Sequence, residues 1–284
     1  MFTEAIPLAL SKGAEIYASV SGGKDGQAMV KSLVDWQLPI TGLIHADLGR
    51  VEWPQSMDMC RNLSEWHDIP LHTVTRSDGL DLLGLWQKRM LQLKGTGKPF
   101  WSSATNRYCT SDMKRATINK FFTSRSNFII SAEGIRAAES TKRASKIPLE
   151  IRREKTSSYY RNMNVLQAIE HYRPDKRLTL TWFPIFNYTT EEVWNTYGMT
   201  GALLVQARAS YKTTGIIPEW WPFHPAYAMG NDRVSCMICI LGCMGDLQNG
   251  AQHNPSLLQT MIAMEDEGQA SFKHNWSLRN LLTA

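Results

Sequence analysis

Short apolar runs that alternate with segments of helical period constrain this chain more than any other feature. Glu15 to Val20, Ile40 to Ala46, Leu71 to Val74, Phe128 to Ala132 and Leu178 to Trp182 each read as a strand. Between the first of them, Ala28, Met29, Ser32, Leu33 and Trp36 recur at helical spacing, followed by Trp53, Met57, Cys60, Leu63 and Trp66. Leu82, Leu83, Trp86, Met90 and Leu93 make a third stripe. Pro39 breaks the first helix. After a glycine-rich break at Gly95 to Pro99, Ser111 is expected to cap a helix reaching Phe122. Strands alternating with helices imply right-handed crossovers, hence an α/β fold: a mainly parallel twisted sheet with helices on both faces. The Met and aromatic stripes are assigned to its core. Ligands of such sheets bind beyond the carboxyl ends of the strands, and the polar motifs of this sequence fall at those ends.

The chain has 284 residues, enough for one large domain with an appendage. Past Gly201 the periodicity fades into a stretch rich in Trp, Pro, Tyr and Gly, then a cysteine cluster and a polar tail. The expected division is therefore 1–200, a nucleotide-binding domain, and 201–284, a small irregular Cys-containing C-terminal segment. Hydrophobic residues make up 43% and charged residues 20%, an ordinary globular balance. No apolar run approaches the roughly 18–20 residues that cross a bilayer. Met1 to Lys12 shows no basic segment leading into an apolar one, so the expectation is a cytoplasmic chain with no membrane partner. The net charge of +5 suits small polyanions or nucleic acid without distinguishing them. Lys142, Arg143, Lys146, Arg152, Arg153, Lys155 and Arg161 concentrate in one stretch, diluted by Glu139, Glu150 and Glu154; a solvated surface is the plainer reading.

Ser19-Val20-Ser21-Gly22-Gly23-Lys24-Asp25-Gly26 leaves the first strand and enters the first helix. Small residues let the backbone approach phosphate oxygens, and the helix N-terminus supplies amide donors and positive potential. Ser19 and Ser21 add hydroxyls, and Lys24 adds a point charge. Asp25 beside a polyanion makes sense if it caps the helix or helps to hold Mg²⁺. The Walker loop is excluded because Ala18 and Asp25 occupy positions it reserves for other residues, and the dinucleotide glycine spacing is absent.

This loop resembles the Ser-Gly-Gly-x-Asp-Ser signature of the ATP-pyrophosphatase (PP-loop) superfamily, with Gly26 standing where the last Ser is usual. One phosphate-directed hydroxyl is thereby lost. His45-Ala46-Asp47-Leu48-Gly49 resembles the Asp-x-Gly of the phosphoadenylyl-sulfate (PAPS) reductase family within that superfamily. Gly134-Ile135-Arg136 with Glu139, Ser140 and Arg143 resembles that family's Gly-x-Arg-x-x-Glu-Ser segment. Phe183-Pro184-Ile185 with Thr190-Glu191-Glu192-Val193-Trp194 resembles its closing strand and capped helix, with Thr190 as N-cap. The resemblance spans about residues 14 to 245. It implies an adenine nucleotide alpha hydrolase-like fold and ATP with Mg²⁺ as ligands. It places Ser19, Ser21, Gly22, Gly23, Lys24, Asp25, Gly26, His45, Asp47, Gly134 and Arg136 at the nucleotide. Lys24 and Asp25 take catalytic roles, and Arg136, Glu139 and Arg143 face an anionic substrate.

Five cysteines in such a chain do not suggest a disulfide framework. Cys236-x-x-Cys239-x-x-x-Cys243 has metal-site spacing. Cys109, in Arg107-Tyr108-Cys109, resembles the early cysteine of iron–sulfur members of the family and would complete a [4Fe–4S] set. Zn²⁺ accepts the same four thiolates, and His224 could replace one. Cys60, on a helical stripe, is read as core.

Three functions compete. In the first, the chain activates a substrate with ATP, pyrophosphate leaves, and the adenylylated group is open to sulfur attack. Iron–sulfur relatives imply a nucleic-acid acceptor and a sulfur-donor protein as partners. The second is sulfonucleotide (PAPS or APS) reduction, which in the true reductases uses a C-terminal Glu-Cys-Gly-x-His; no cysteine follows Cys243 here. The third is a non-catalytic nucleotide-binding or metal-stapled module.

Overall fold

The apolar runs pair as a six-stranded sheet of order β3-β2-β1-β4-β6-β5 in the computed structural model, which describes residues 2–282. The outer limits of the expected division, Met1, Thr283 and Ala284, lie outside these residues. The strands are β1 (Glu15–Val20), β2 (Ile40–Ala46), β3 (Leu71–Val74), β4 (Phe128–Glu133), β5 (Leu149–Ile151) and β6 (Leu178–Trp182). β1 pairs in parallel with β2 and with β4, and β4 in parallel with β6. The short β5 runs antiparallel to β6 at the edge. The fold is α/β, with helices around a mostly parallel sheet. Because β2 lies on one side of β1 and β4 on the other, a crevice opens where the chain leaves β1 and β4.

Contacts divide the chain into two units. The first comprises 1–45, 57–73 and 118–203; the second comprises 46–56, 74–117 and 204–284. The segment after residue 203 thus groups with two earlier stretches, which a single cut near residue 200 does not describe. The physical reason is that Leu257, Leu258, Met261 and Ile262 share a core with Leu82, Trp86 and Met90. The first unit buries Ile16, Ala18, Met29, Leu33, Ile130, Leu180 and their neighbours around the sheet.

Several local expectations change. The cysteine stretch 231–243 is irregular, but two helices follow it, Met244–His253 and Pro255–Gly268, and another, Gly201–Thr214, precedes it. The last is largely exposed, which explains its missing apolar stripe. Ser111 is not an N-cap: Tyr108–Thr110, a π-turn at Ser111–Arg115 and Ala116–Thr123 run on without a break. The N-cap of helix Thr190–Asn195 is Thr189, whose hydroxyl accepts from the Glu192 amide at 3.1 Å while the Glu192 carboxylate returns to the Thr189 amide. Trp36 and Trp66, placed in the core by periodicity, are 45% and 49% exposed. The helix after β1, Lys24–Asp35, ends ahead of Pro39, with Gln37 left-handed at φ 57°, and a helix not expected from the sequence, Phe2–Ser11, precedes β1.

Candidate functional site

The loop after β1 turns at Gly22, whose φ of +73° suits glycine. Gly23 then precedes helix Lys24–Asp35 in extended conformation with no side chain capping the first turn. Amides that a Ser or Asp cap would claim are left to an anion. Behind them, the Ser19 hydroxyl is buried without a hydrogen-bond partner. An unmet buried hydroxyl costs on the order of 1–3 kcal/mol, and a phosphate oxygen is the kind of group that removes that cost.

Lys24 is only 5% exposed. Its Nζ lies 3.5 Å from Asp25 Oδ2 and 5.6 Å from the centroid of the Trp194 ring. Burial is the main influence and lowers its pKa from 10.5; Arg136 adds to the lowering, while Asp25 and Glu139 oppose it. Asp25 is held from the other side by Arg136, whose Nε donates to Oδ1 at 2.6 Å. Arg136 Nη1 donates to the Tyr188 carbonyl at 3.1 Å. Glu139 accepts from the Arg136 amide at 3.1 Å and pairs with Arg143. Asp25 does not cap the helix, and its two oxygens face Lys24 and Arg136. Arg136 spends Nε and Nη1 on the protein, leaving Nη2 for any ligand. Arg143 keeps 29% of its side chain exposed beside Glu139.

Gly134 earns its place by packing. A Cβ there would lie 2.7 Å from the Asp25 carbonyl oxygen, so only glycine lets the turn after β4 close on the loop after β1. At Gly26 a Cβ would meet Val20 Cα at 3.7 Å, an ordinary contact, so serine would fit. His45 is fully buried, and its Nδ1 donates to the Val20 carbonyl at 3.2 Å with the Cys60 sulfur at 3.7 Å. Cys60 is core, fully buried. Trp194, on helix Thr190–Asn195, covers the Lys24 ammonium; its spacing from the loop in sequence carries no signal of that contact.

In the second unit, Asp47 forms a turn, its Oδ1 accepting from the Gly49 amide at 2.7 Å. Cys239 and Cys109 each lie within Coulombic reach of Cys236: burial first, then Cys239, push the Cys236 thiol up, and Cys109 adds to this while Lys114 opposes it. The loop bearing Cys236 and Cys239 is pinned. The Met237 amide donates to the Val51 carbonyl at 2.9 Å, Gly242 donates to the Cys239 carbonyl at 2.8 Å, and Lys273 Nζ donates to the Gly242 carbonyl at 2.9 Å. Gly250 lies so near that a Cβ would fall 1.8 Å from the Met237 oxygen. Cys243, exposed, is the N-cap of helix Met244–His253, its sulfur accepting from the Asp246 amide at 3.5 Å. Among the described residues, no three of these sulfurs lie within 4.8 Å of one another. His224 is not a ligand. It is fully buried, its Nδ1 accepts from the Ala226 amide at 3.1 Å, and its Nε2 then donates to Ser56 at 3.2 Å. Burial pushes its imidazole down to about 4.

The basic stretch is partly structural. Arg152 is buried on Thr181, Asn119, Ser131 and Glu133. Arg153 donates to the carbonyls of Tyr160, Arg161 and Met163. Lys142, Lys146 and Arg161 remain exposed.

No helix among the described residues is long and apolar enough to cross a membrane. No curated protein matches the chain. Among solved structures, a crystal structure of phosphoadenylyl-sulfate (PAPS) reductase from Candida auris, a phosphate complex, aligns at 14% identity over 82% of this chain and 87% of that one, with a TM-score of 0.46. The family model of the phosphoadenosine phosphosulfate reductase domain matches residues 15–207, about two thirds of the chain. That span takes in the loop after β1, the Gly134–Arg143 turn and Trp194, and the chain belongs to the phosphoadenosine phosphosulfate reductase domain family.

Proposed function

We propose that the protein is an ATP pyrophosphatase that adenylylates an acceptor for sulfur transfer. The observation that carries this reading is the loop after β1, where uncapped amides, an unpartnered buried Ser19 hydroxyl and the buried Lys24 ammonium converge. An acceptor oxygen attacks the α-phosphorus of ATP, the bond to the bridging oxygen breaks, and pyrophosphate leaves with the electron pair. Lys24 offsets the charge that develops on the leaving phosphates. Arg136 holds Asp25, and Asp25 aims Lys24. With both Asp25 oxygens on cations, Mg²⁺ would be carried by the phosphates themselves. Arg143, partly exposed, would meet the anionic part of the substrate.

Cys109, Cys236, Cys239 and Cys243 would hold the metal centre. Tetrahedral zinc sets its sulfurs roughly 3.8 Å apart, as its 2.3 Å bonds require. No three of the four sulfurs meet that spacing among the described residues, and a [4Fe–4S] cluster, whose thiolates bind separate irons, would accept a wider one. Such a cluster would hold or relay sulfur. Reduction of a sulfonucleotide, favoured by the family's name, remains the second reading. It needs a free nucleophilic thiol, for which Cys243 is the one exposed candidate.

The test is release of AMP and pyrophosphate from ATP, with acceptor present. Lys24→Ala should lower turnover by about 10²–10³, as for loss of one transition-state donor. Undiminished turnover in that variant, or consumption of PAPS but not ATP by the wild type, would overturn the reading.

A further inference from the structure

The register of the sheet brings an acid to the mouth of the nucleotide loop. Glu133 ends β4, and its Cα pairs with that of Ser19 in β1. Residues in register on neighbouring parallel strands point to the same face, about 4.8 Å apart. Glu133 therefore shares a face with the Ser19 hydroxyl, which is buried without a partner. One oxygen of Glu133 is fixed. Arg152, which follows β5, keeps only 7% of its side chain exposed. Its Nε donates to Thr181 Oγ1 at 2.9 Å and its Nη1 to Asn119 Oδ1 at 3.1 Å. Nη2 donates to Ser131 Oγ at 3.2 Å and to Glu133 Oε1. Four acceptors thus hold the guanidinium, and the guanidinium holds one carboxylate oxygen. The other oxygen, Oε2, has no hydrogen-bond partner among the described residues, and the Glu133 side chain is 28% exposed.

We propose that Glu133 accepts a hydrogen bond from a ribose hydroxyl of the nucleotide and so selects a ribose that carries no phosphate. The inference rests on the reading that places the phosphates of ATP on the loop after β1. Gly134 packs against the Asp25 backbone of that loop, so the carboxyl end of β4 adjoins the phosphates. The ribose is the part of the nucleotide joined to the α-phosphate, and the amino group of the base lies beyond it. An acid at the end of a strand takes the ribose hydroxyls of dinucleotides in the same way. A metal is the poorer occupant. Glu133 belongs to no group of three metal-ligating side chains among the described residues, and the Arg152 charge repels a cation. Charge then decides between nucleotides. A hydroxyl donates to the free oxygen, whereas a phosphate there sets one anion against another. Arg152 cannot relieve that repulsion, because it is buried on its four acceptors. Glu133 thereby favours ATP over a 3′-phosphorylated nucleotide such as PAPS before any bond is broken.

Calorimetric titration of the full chain with ligands that differ only at the ribose tests this. The wild type should bind ATP about tenfold more tightly than 2′-deoxy-ATP or 3′-deoxy-ATP, the scale of one hydrogen bond to a charged group. The weaker of the two analogues names the hydroxyl. Adenosine 3′,5′-bisphosphate should bind the wild type at least about tenfold more weakly than AMP, through like-charge repulsion. Glu133→Gln keeps the shape and removes the charge, so the affinity for the bisphosphate relative to AMP should rise about tenfold. Both ligands meet the same sample, so their ratio does not depend on how much of the variant is folded. If the variant does not fold, the wild-type series decides alone. Equal affinity for ATP and both deoxy analogues, tighter binding of the bisphosphate than of AMP, or an unchanged ratio in Glu133→Gln would each overturn the proposal. Pyrophosphate release without any ribose preference would sink this inference alone. A clear ribose preference without pyrophosphate release would sink the adenylylation reading and leave the role of Glu133 standing.

Discussion

Lys24 illustrates how burial changes what a residue can do. An exposed lysine stays charged to pH 10.5, whereas the packing around Lys24 lowers its pKa. Its charge is needed to meet phosphate, so nucleotide affinity should fall at an alkaline pH where ordinary lysines are still protonated. The sign follows from the depressed pKa: the ammonium is present below it and lost as pH rises through it. Lys24→Arg keeps its charge at every working pH and should abolish the alkaline decline, read by ATP titration between pH 7 and 10. An identical pH profile in both proteins would assign the decline elsewhere. Arg136 shows the converse: a residue expected to fork a ligand spends two of its nitrogens on Asp25 and the Tyr188 carbonyl. In this structure it holds Asp25, which in turn contacts Lys24, and its Nη2 is left for a ligand.

Two glycines set element-level contacts. Gly134→Ala would drive a methyl to 2.7 Å from the Asp25 carbonyl, so the turn after β4 must retreat from the loop after β1. ATP affinity should fall at least tenfold, whereas Gly26→Ser, which has room, should bind ATP as well as wild type or better. The reverse order in calorimetric titrations would show that the loops are not coupled this way. Gly250→Ala sits on helix Met244–His253 and touches no cysteine, yet its methyl would overlap the Met237 carbonyl between Cys236 and Cys239. If the cysteines hold the proposed cluster, this variant, purified anaerobically, should carry much less iron than the wild type, while ATP binding tested on the same sample should match wild type. Full iron content would mean that the cysteine loop is shaped by the metal alone.

At the scale of the whole chain, the two units have separate cores, and one carries a built-in acid sensitivity. His224 is folded neutral: its pKa is about 4 against 6.5 unfolded. The unfolded state therefore takes up the proton first as pH falls. Stability of the second unit should drop between pH 6.5 and 4 and change no further through this group below that. The full loss is about 3 kcal/mol from the size of the shift. His224→Gln should flatten that part of the profile in urea melts followed by tryptophan fluorescence, since Trp53 stands 6.3 Å from the imidazole. A variant that keeps the full acid dependence would shift the cause to other groups.

Periodicity alone determined the sheet's main strands and the loop after β1, because strand alternation with helices and a small-residue turn are local patterns. Order in the chain sufficed to join the loop, the Gly134–Arg143 turn and the family. Partnership was not local, and only the tertiary structure decided it. Whether an arginine faces a ligand or an acid depends on what lies 111 residues away, as Arg136 and Asp25 show. The same holds for β5, too short to show a period, and for helix Gly201–Thr214, too exposed to show a stripe. Trp36 matched a core stripe yet is half-exposed, since a helix's last turn can project past the sheet that its earlier turns cover. The grouping of 204–284 with 46–56 and 74–117 likewise arises from apolar side chains meeting across long loops, a closure whose entropy grows only slowly with length and so leaves little trace in sequence.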